Sequence, residues 1–395
     1  MESTELVVVG CGPAGATAAR EASRAGVEVV VLEKDAIVGE KRVCAAGLRP
    51  RFCDEFALPR EIVHCDTPRI ALFDARGGEH ELIFGPGHTS TREELDGTMA
   101  RLANEEGAQI LTQTLFRRIV RDGPRTVIEY ADLRSGTRKR IAARSVLLAQ
   151  GATAIVDGTR LAFDRWRDGL MTTLQYRIYL DGRASEIAYR TLEMHYYLAR
   201  DGRQVVGWMF PKRDHLAIGL GVIGKMEGTQ LRSELDALVE RIRERLYPQR
   251  AVTRVKVEGH LLYMGAPRPV LADDAVMIGG TAAGLVDATN GEGIYEAAMS
   301  GRIAAESIAA HRDEPFRAAR RYARAVQTRF SRRLHHRLRL MRFLERKPER
   351  FAILFEQLAK TPKLAAILHG ETHRRTARDR LFAYAQVAKF LIAAR

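Results

Sequence analysis

Short apolar runs and long helical periodicities alternate along this chain in an order that already constrains its fold. LVVV at residues 6–9 is apolar at every position and stops at Gly10, as a strand buried on both faces does. It enters GPAGATAAREASRAG, where small residues recur at helical spacing, and then VEVVVLE, a second buried strand. That order predicts a βαβ unit with parallel strands. TREELDGTMARLANEEGAQI reads as a helix with Thr91 as N-cap, followed by strands in RTVIEYADL and KRIAARSVLLAQGA. Strands dominate from about Thr172 to Val222, LEMHYYLA and QVVGWMFP among them. A helix near residues 231–246, the strand VTRVKVEGHLLY and the apolar strand AVMIGG come next. VGEKRVCAAGLRPRFCDEFALP follows neither period and is expected to form a functional loop.

From Ala309 onward the pattern is helical and basic. PFRAARRYARAVQTRFSRRLHHRLRLMRFLERKPERF sets Phe, Tyr, Leu and Met at helical spacings between arginines. The plain reading is an apolar stripe laid on the body of the protein, with the arginines in water. The functional alternative is peripheral contact with an anionic membrane.

The first βαβ unit carries candidate chemistry. Gly10, Gly12 and Gly15 have GxGxxG spacing between a strand and a helix, and Glu33 ends the second strand. Glycines there allow a tight turn, close approach of a pyrophosphate and close helix packing, while the acid can accept from a ribose hydroxyl. A second literal match, GLGVIG at residues 219–224, is read as a glycine-bearing strand. The amphipathic helix QLRSELDALVERIRERL follows it instead of an acid-terminated strand, so no second dinucleotide domain is expected. Late in the chain, GGTAAGLVDATNGEGIYEA at residues 279–297 places two glycine-rich turns before another helix.

Composition narrows the classes. A chain of 395 residues suggests two or three domains, and a formal charge of +14 asks for a polyanionic partner: a membrane surface, a phosphate-rich ligand or nucleic acid. Nucleic acid is disfavoured because no binding fold for it accompanies the charge. No apolar run approaches the roughly 20 residues of a spanning helix. Met1-Glu-Ser-Thr-Glu5 leads straight into the first strand, so the chain is expected to start there and remain cytoplasmic, with any membrane contact peripheral at the inner face. Cys11, Cys44, Cys53 and Cys65 lack metal-type pairing; free thiols and no metal are expected.

Five motifs in order, VVVGCGPAGATAA, KRVCAAGLRPRF, TREELDGTMARLANEEGA, GWMFPKRDHLAIGLG and GGTAAGLVDATNGEGIYEAAMSGRIAAE, resemble the landmarks of the geranylgeranyl reductase family of flavoproteins. That family shares the p-hydroxybenzoate hydroxylase fold. The likeness is nearest to the reductases of chlorophyll and bacteriochlorophyll synthesis, and it implies a divergent member. The resemblance implies an α/β protein with an FAD-binding Rossmann-like domain over residues 1–160 and 266–310. A mixed or antiparallel β-sheet substrate domain would span 161–265, and a basic helical region 311–395. It implies that Gly10, Gly12, Gly15, Glu33 and Arg92 hold the adenosine diphosphate half of FAD. Gly280 and Thr281 would pass beside the ribityl and pyrophosphate, with Gly291, Glu292 and Gly293 near the isoalloxazine. Trp208, Phe210 and Pro211 would wall the substrate channel, and Cys44 would deliver or position a proton.

The implied reaction reduces isolated carbon–carbon double bonds of a polyprenyl chain on a lipid or pigment, with NAD(P)H or ferredoxin as electron donor. Such bonds are unactivated, so hydride must reach one carbon and a proton the other with water excluded. Departures from the family pattern sit at Ala45 and Ala46, where Cys-Gly-Gly is common, and at Thr281, where an aspartate is common. Gln150 and Ala154 replace an acid and a serine. Two other readings stay open at this point: a flavin monooxygenase or oxidase of a hydrophobic small molecule, and a non-catalytic isoprenoid carrier.

Overall fold

The computed structural model describes residues 2–40, 44–122, 125–157, 159–181, 184–188, 190–369 and 376–394. The chain divides into two units, each assembled from three separated segments. The first takes the described residues within 1–42, 92–171 and 261–339; the second takes those within 43–91, 172–260 and 340–395.

At the centre of the first unit is a parallel sheet in the order Val276–Ile278, Arg138–Leu148, Glu2–Val9, Val29–Leu32 and Gln109–Leu111. Leu6 to Val9 and Val29 to Leu32 are buried throughout, which is why their sequence is apolar without alternation. The hairpin Thr114–Asp122 and Arg125–Asp132 joins antiparallel along Arg138–Leu148. Three turns leave neighbouring strands at their carboxyl ends. Gly10 N–H donates to Leu32 O, Ala149 N–H to Val9 O, and Gly279 N–H to Leu148 O, so GCGPAG, AQGAT and GGTAAG lie side by side. In an open parallel sheet that edge is where ligands bind.

Two helices meet over those turns without intervening side chains. A Cβ on Gly301, in Ile294–Ala310, would lie 2.1 Å from Ala14 O and 2.9 Å from Ala18 N of Pro13–Arg24. Such contact demands glycine opposite a run of alanines. Farther on, the apolar stripe of the basic region is buried as its spacing suggests. Ala318, Ala319, Tyr322, Val326, Phe330 and Leu334 are all inside, and Tyr322 Oη donates to Ile278 O at 2.8 Å.

The second unit is built on one mixed sheet in the order Val252–Tyr263, Leu170–Leu180, His215–Ile223, Gln204–Pro211, Thr191–Leu198, Cys65–Phe73, Glu79–Thr89 and Gly47–Leu48. Thr191–Leu198 and Cys65–Phe73 run parallel; the other registered pairs are antiparallel. GLGVIG belongs to a strand, as expected. A Cβ on Gly219 would lie 2.4 Å from Trp208 Cζ2, so the residue is glycine because an indole covers it. The helix Gly228–Leu246 buries Leu231, Leu235, Leu238 and Ile242 against one face of the sheet. On the other face Tyr196 packs against Phe351 and Phe355 of the helix Glu349–Lys360. The hairpin from 65 to 89 was not among the expected strands, although CDTPRIALF and EHELIF flank a DARGG turn. Among the described residues, no helix is long and apolar enough to cross a membrane.

Candidate functional site

The first glycine turn leaves no room for side chains. A Cβ on Gly10, whose φ is +97°, would lie 2.6 Å from Ala149 O, and one on Gly15 would lie 1.9 Å from Gly10 O. No side chain caps the helix that starts after Gly12, so its first N–H groups face whatever sits at the turn. Glu33 is 2% exposed, and its carboxylate accepts from the N–H groups of Cys11 (2.7 Å) and Asp35 (3.0 Å). Those bonds fix the acid beside the turn. Arg92 opens its helix and grips Asp96 with two bonds, at 2.9 and 2.6 Å, leaving Nη2 3.7 Å from where a Gly12 Cβ would stand. Gln150 sits at the same turn, its Oε1 buried without a hydrogen-bond partner among the described residues.

Residues 280–297 complete this edge. Gly280 has φ +59°, donates its N–H to Ser300 Oγ at 2.9 Å, and would bring a Cβ within 3.1 Å of Ala14 Cβ. The late stretch therefore lies against the first turn, two hundred and more residues away in sequence. Thr281 follows in the same short turn, and its hydroxyl takes no partner among the described residues. Arg268 braces the turn from behind: Nε donates to Ala282 O and Nη1 to Leu161 O, each at 2.7 Å, with the guanidinium 4.0 Å from the Trp166 ring. Burial pushes its pKa down to about 10, so it stays charged at neutral pH.

The loop from Asp287 to Gly293 is self-bonded and then clamped. Asp287 Oδ1 accepts from Thr289 N–H and Oγ1, and Gly291 adopts φ +73°. Arg329, Arg333 and Arg337, one helical turn apart, reach Tyr295 Oη (3.1 Å), the Glu296 carboxylate and Asp287 Oδ2 (3.3 Å) respectively. Glu296 is 0% exposed and Asp287 2%. Removing one partner of such a buried pair costs ~3–5 kcal/mol. Part of the basic excess thus neutralises acids inside the first unit.

In the second unit, the Cys44 loop is joined to the GWMFPK strand. Lys212, 1% exposed, donates from Nζ to Ala45 O, and Thr89 Oγ1 donates to Pro211 O at 2.6 Å. A Cβ on Gly47 would stand 2.7 Å from Phe210 Cε2. Cys44 is half-buried, and its Sγ accepts from Ala46 N–H at 3.3 Å. Lys41, Arg42 and Val43, which open this motif, lie outside the described residues. Ala46 is held at φ +46°, the left-handed region, at a position where the resemblance implies a glycine. The departure noted in the sequence is therefore a point of backbone strain. On the same sheet, Trp208 Nε1 donates to Gln175 Oε1 (3.0 Å) and Gln175 Nε2 to Glu258 Oε2 (3.1 Å), which also accepts from Arg177 Nε (3.0 Å). The indole is fixed by a buried polar network.

Residues 5–162 match the family model described as FAD dependent oxidoreductase. Geranylgeranyl diphosphate reductase of Rhodobacter capsulatus is 28% identical over 78% of this chain and 75% of its own length. Digeranylgeranylglycerophospholipid reductase 1 of Methanopyrus kandleri is 30% identical over 76% of this chain and 79% of its own. The chain belongs to the geranylgeranyl reductase family. A solved structure of a geranylgeranyl bacteriochlorophyll reductase-like protein from Thermoplasma acidophilum shares the fold, with a TM-score of 0.72, 21% identity and full coverage of both chains.

This reductase is an FAD-dependent oxidoreductase, and its first unit fits that cofactor. The fit rests on the glycine cradle that a Cβ would fill, the uncapped helix start, the anchored Glu33 and the Thr281 hydroxyl, which has no partner among the described residues. The structure brings Gly10, Gly12, Gly15, Glu33, Arg92, Gly280 and Thr281 to one edge of the reductase, and Trp208, Phe210, Pro211 and Cys44 to another part of it, the second unit. Lys212, Arg268 and the three clamping arginines escaped the sequence reading. The four-residue spacing of Arg329, Arg333 and Arg337 was their only signal.

Replacing Ala46 by glycine is expected to stabilise the reductase by about 0.5–1 kcal/mol, since a left-handed alanine costs more than the added unfolded-state freedom of glycine. Urea unfolding checks it. A lowered midpoint would show that the alanine is not strained.

Proposed function

We propose that this chain uses bound FAD to reduce isolated double bonds in the polyprenyl chain of a lipid or pigment. The observation that carries the reading is family membership with a relative, named for reduction of a digeranylgeranylglycerophospholipid, matched over three-quarters of both chains. The flavin, when bound, supplies hydride. The protein's own share is orientation and exclusion of water. Glu33 and the glycine turns hold the adenosine diphosphate half, Thr281 takes the place of an acid at the ribityl and pyrophosphate, and the 291–293 turn approaches the ring. Trp208, Phe210 and Pro211 offer an apolar wall for the chain, and the Gln175–Glu258 network holds the indole in one orientation. Cys44, held through Ala45 and Ala46, is the group proposed to position the proton.

The substrate's apolar tail also bears on where the protein meets it. The helix Ala377–Ala393 exposes Leu381 (72%), Tyr384 (71%), Val387, Leu391 and Ile392 (69%) along one side, with Arg378 and Lys389 exposed beside them. An apolar stripe with basic neighbours suits an anionic bilayer surface. The enzyme would act from the cytoplasmic side as a peripheral protein.

Two measurements check these readings. Photoreduced protein without oxygen should add two hydrogens per reduced bond to a geranylgeranyl lipid or diphosphate, read by mass spectrometry. Hydroxylation that requires oxygen, with no saturated product, would instead make it a monooxygenase. In sedimentation with vesicles, wild type should pellet with phosphatidylglycerol and not with phosphatidylcholine. The Leu381→Ser, Ile392→Ser double variant should bind at least about tenfold more weakly, from ~1–2 kcal/mol lost per apolar side chain. Equal binding by both would remove this helix from the contact.

A further inference from the structure

Side chains alternate along a strand, so the sheet of the second unit has two distinct faces. Trp208 pairs with Met194; the next residue, His195, pairs with Gly207 and lies on the opposite face, beneath the helix Gly228–Leu246. Near the end of that helix the cover is incomplete. A cavity of about 400 Å³ remains between Arg241 and Arg245, the strand Thr191–Leu198 and the turn that follows Cys65–Phe73. Nothing in the proposed reduction uses it.

Its walls are aromatic and its polar groups few. The His195 ring stacks on Phe73, with centroids 4.4 Å apart and planes within 5°. Arg245 lies 4.9 Å from the Phe73 centroid and Arg241 4.9 Å from that of Tyr197. Glu193, 2% exposed, accepts from Arg245 and faces His195 Nε2 at 3.1 Å. Burial, outweighing the bond to Glu193, holds His195 below the usual histidine range. A neutral ring with its proton toward the carboxylate leaves Nδ1 as an acceptor, and Nδ1 has no partner among the described residues. Asp74 also borders the cavity, but its carboxylate is engaged by the N–H groups of Arg76 and Gly78 and by His80. Glu193 matches Arg245, whereas Arg241 pairs with no carboxylate among the described residues. The cavity therefore offers one unmatched cation, one acceptor and flat apolar walls.

We propose that this cavity binds a small amphiphilic anion: a flat apolar body with one carboxylate or phosphate for Arg241 and a hydroxyl or N–H for His195. The volume matches the small end of ordinary ligand pockets. The site is separate from the flavin unit, and this reading stands or falls independently of the reductase assignment.

Fluorescence titration of the FAD-loaded protein tests it, with 6-hydroxy-2-naphthoate as probe, 2-naphthyl phosphate as the alternative anion and 2-naphthol as the neutral control. Saturable binding of an anionic probe is expected, and whichever anion binds tighter identifies the headgroup. Arg241→Gln should weaken that probe by about tenfold, the scale of one charge-assisted hydrogen bond, and leave 2-naphthol unchanged. Arg241 is exposed, so the variant should fold. Arg243→Gln, on the same helix but paired with Glu240, should change neither. Absence of saturable binding, or equal affinity of the wild type and Arg241→Gln for the anion, overturns the proposal.

Discussion

The carbonyl oxygen of Ala14 occupies the space where Gly301 would carry a side chain. Because Pro13–Arg24 and Ile294–Ala310 touch backbone to backbone, the turn sits so close that a Cβ on Gly280 would lie 3.1 Å from that of Ala14, and Gly280 N–H donates to Ser300 Oγ. That one approach joins the beginning of the chain to a segment almost three hundred residues later. Strand pairing alone sets the glycine turns side by side; the helix contact adds the close seating of the Gly280 turn on the first helix. Backbone groups of both segments are the ones proposed to hold FAD.

Charge follows the same logic. The arginines after residue 309 look, from composition, like a partner surface. Two of them, Arg333 and Arg337, are instead partly buried against Glu296 and Asp287 beside the 291–293 turn, and the exposed Arg329 bonds Tyr295. Arg268 supports the neighbouring turn through carbonyl groups and an aromatic face. Thr281 stands in the same short turn, and Arg268, 3% exposed, is a buried cation behind it. In the second unit, strain at Ala46 and the anchoring of Ala45 by Lys212 define the loop that presents Cys44.

Much of this was legible because it depends on period and spacing. The parallel strands, the first glycine turn with Glu33, the strand nature of GLGVIG and the buried stripe at Ala318, Tyr322 and Val326 all follow from local pattern. The hairpin at 65–89 was hidden by its short alternation and by Pro68 and Pro86, which interrupt strand propensity. Partners at long separation were hidden for a different reason. Nothing local ties Lys212 to Ala45, or Arg333 to Glu296, and only the folded sheet and helix registers bring them together. The two faces of the second sheet were equally unreadable, since HYYL carries residues for both.

Backbone contact between Pro13–Arg24 and Ile294–Ala310 seats the Gly280 turn against the first glycine turn, where FAD is proposed to bind. The FAD dissociation constant of Gly301→Ala, read by flavin fluorescence beside a circular dichroism spectrum, tests it most directly. A methyl group placed 2.1 Å from Ala14 O must push the helices apart. Affinity at least about tenfold weaker, with helix content retained, is expected from overpacking worth ~1–3 kcal/mol. Wild-type affinity in that variant would contradict it.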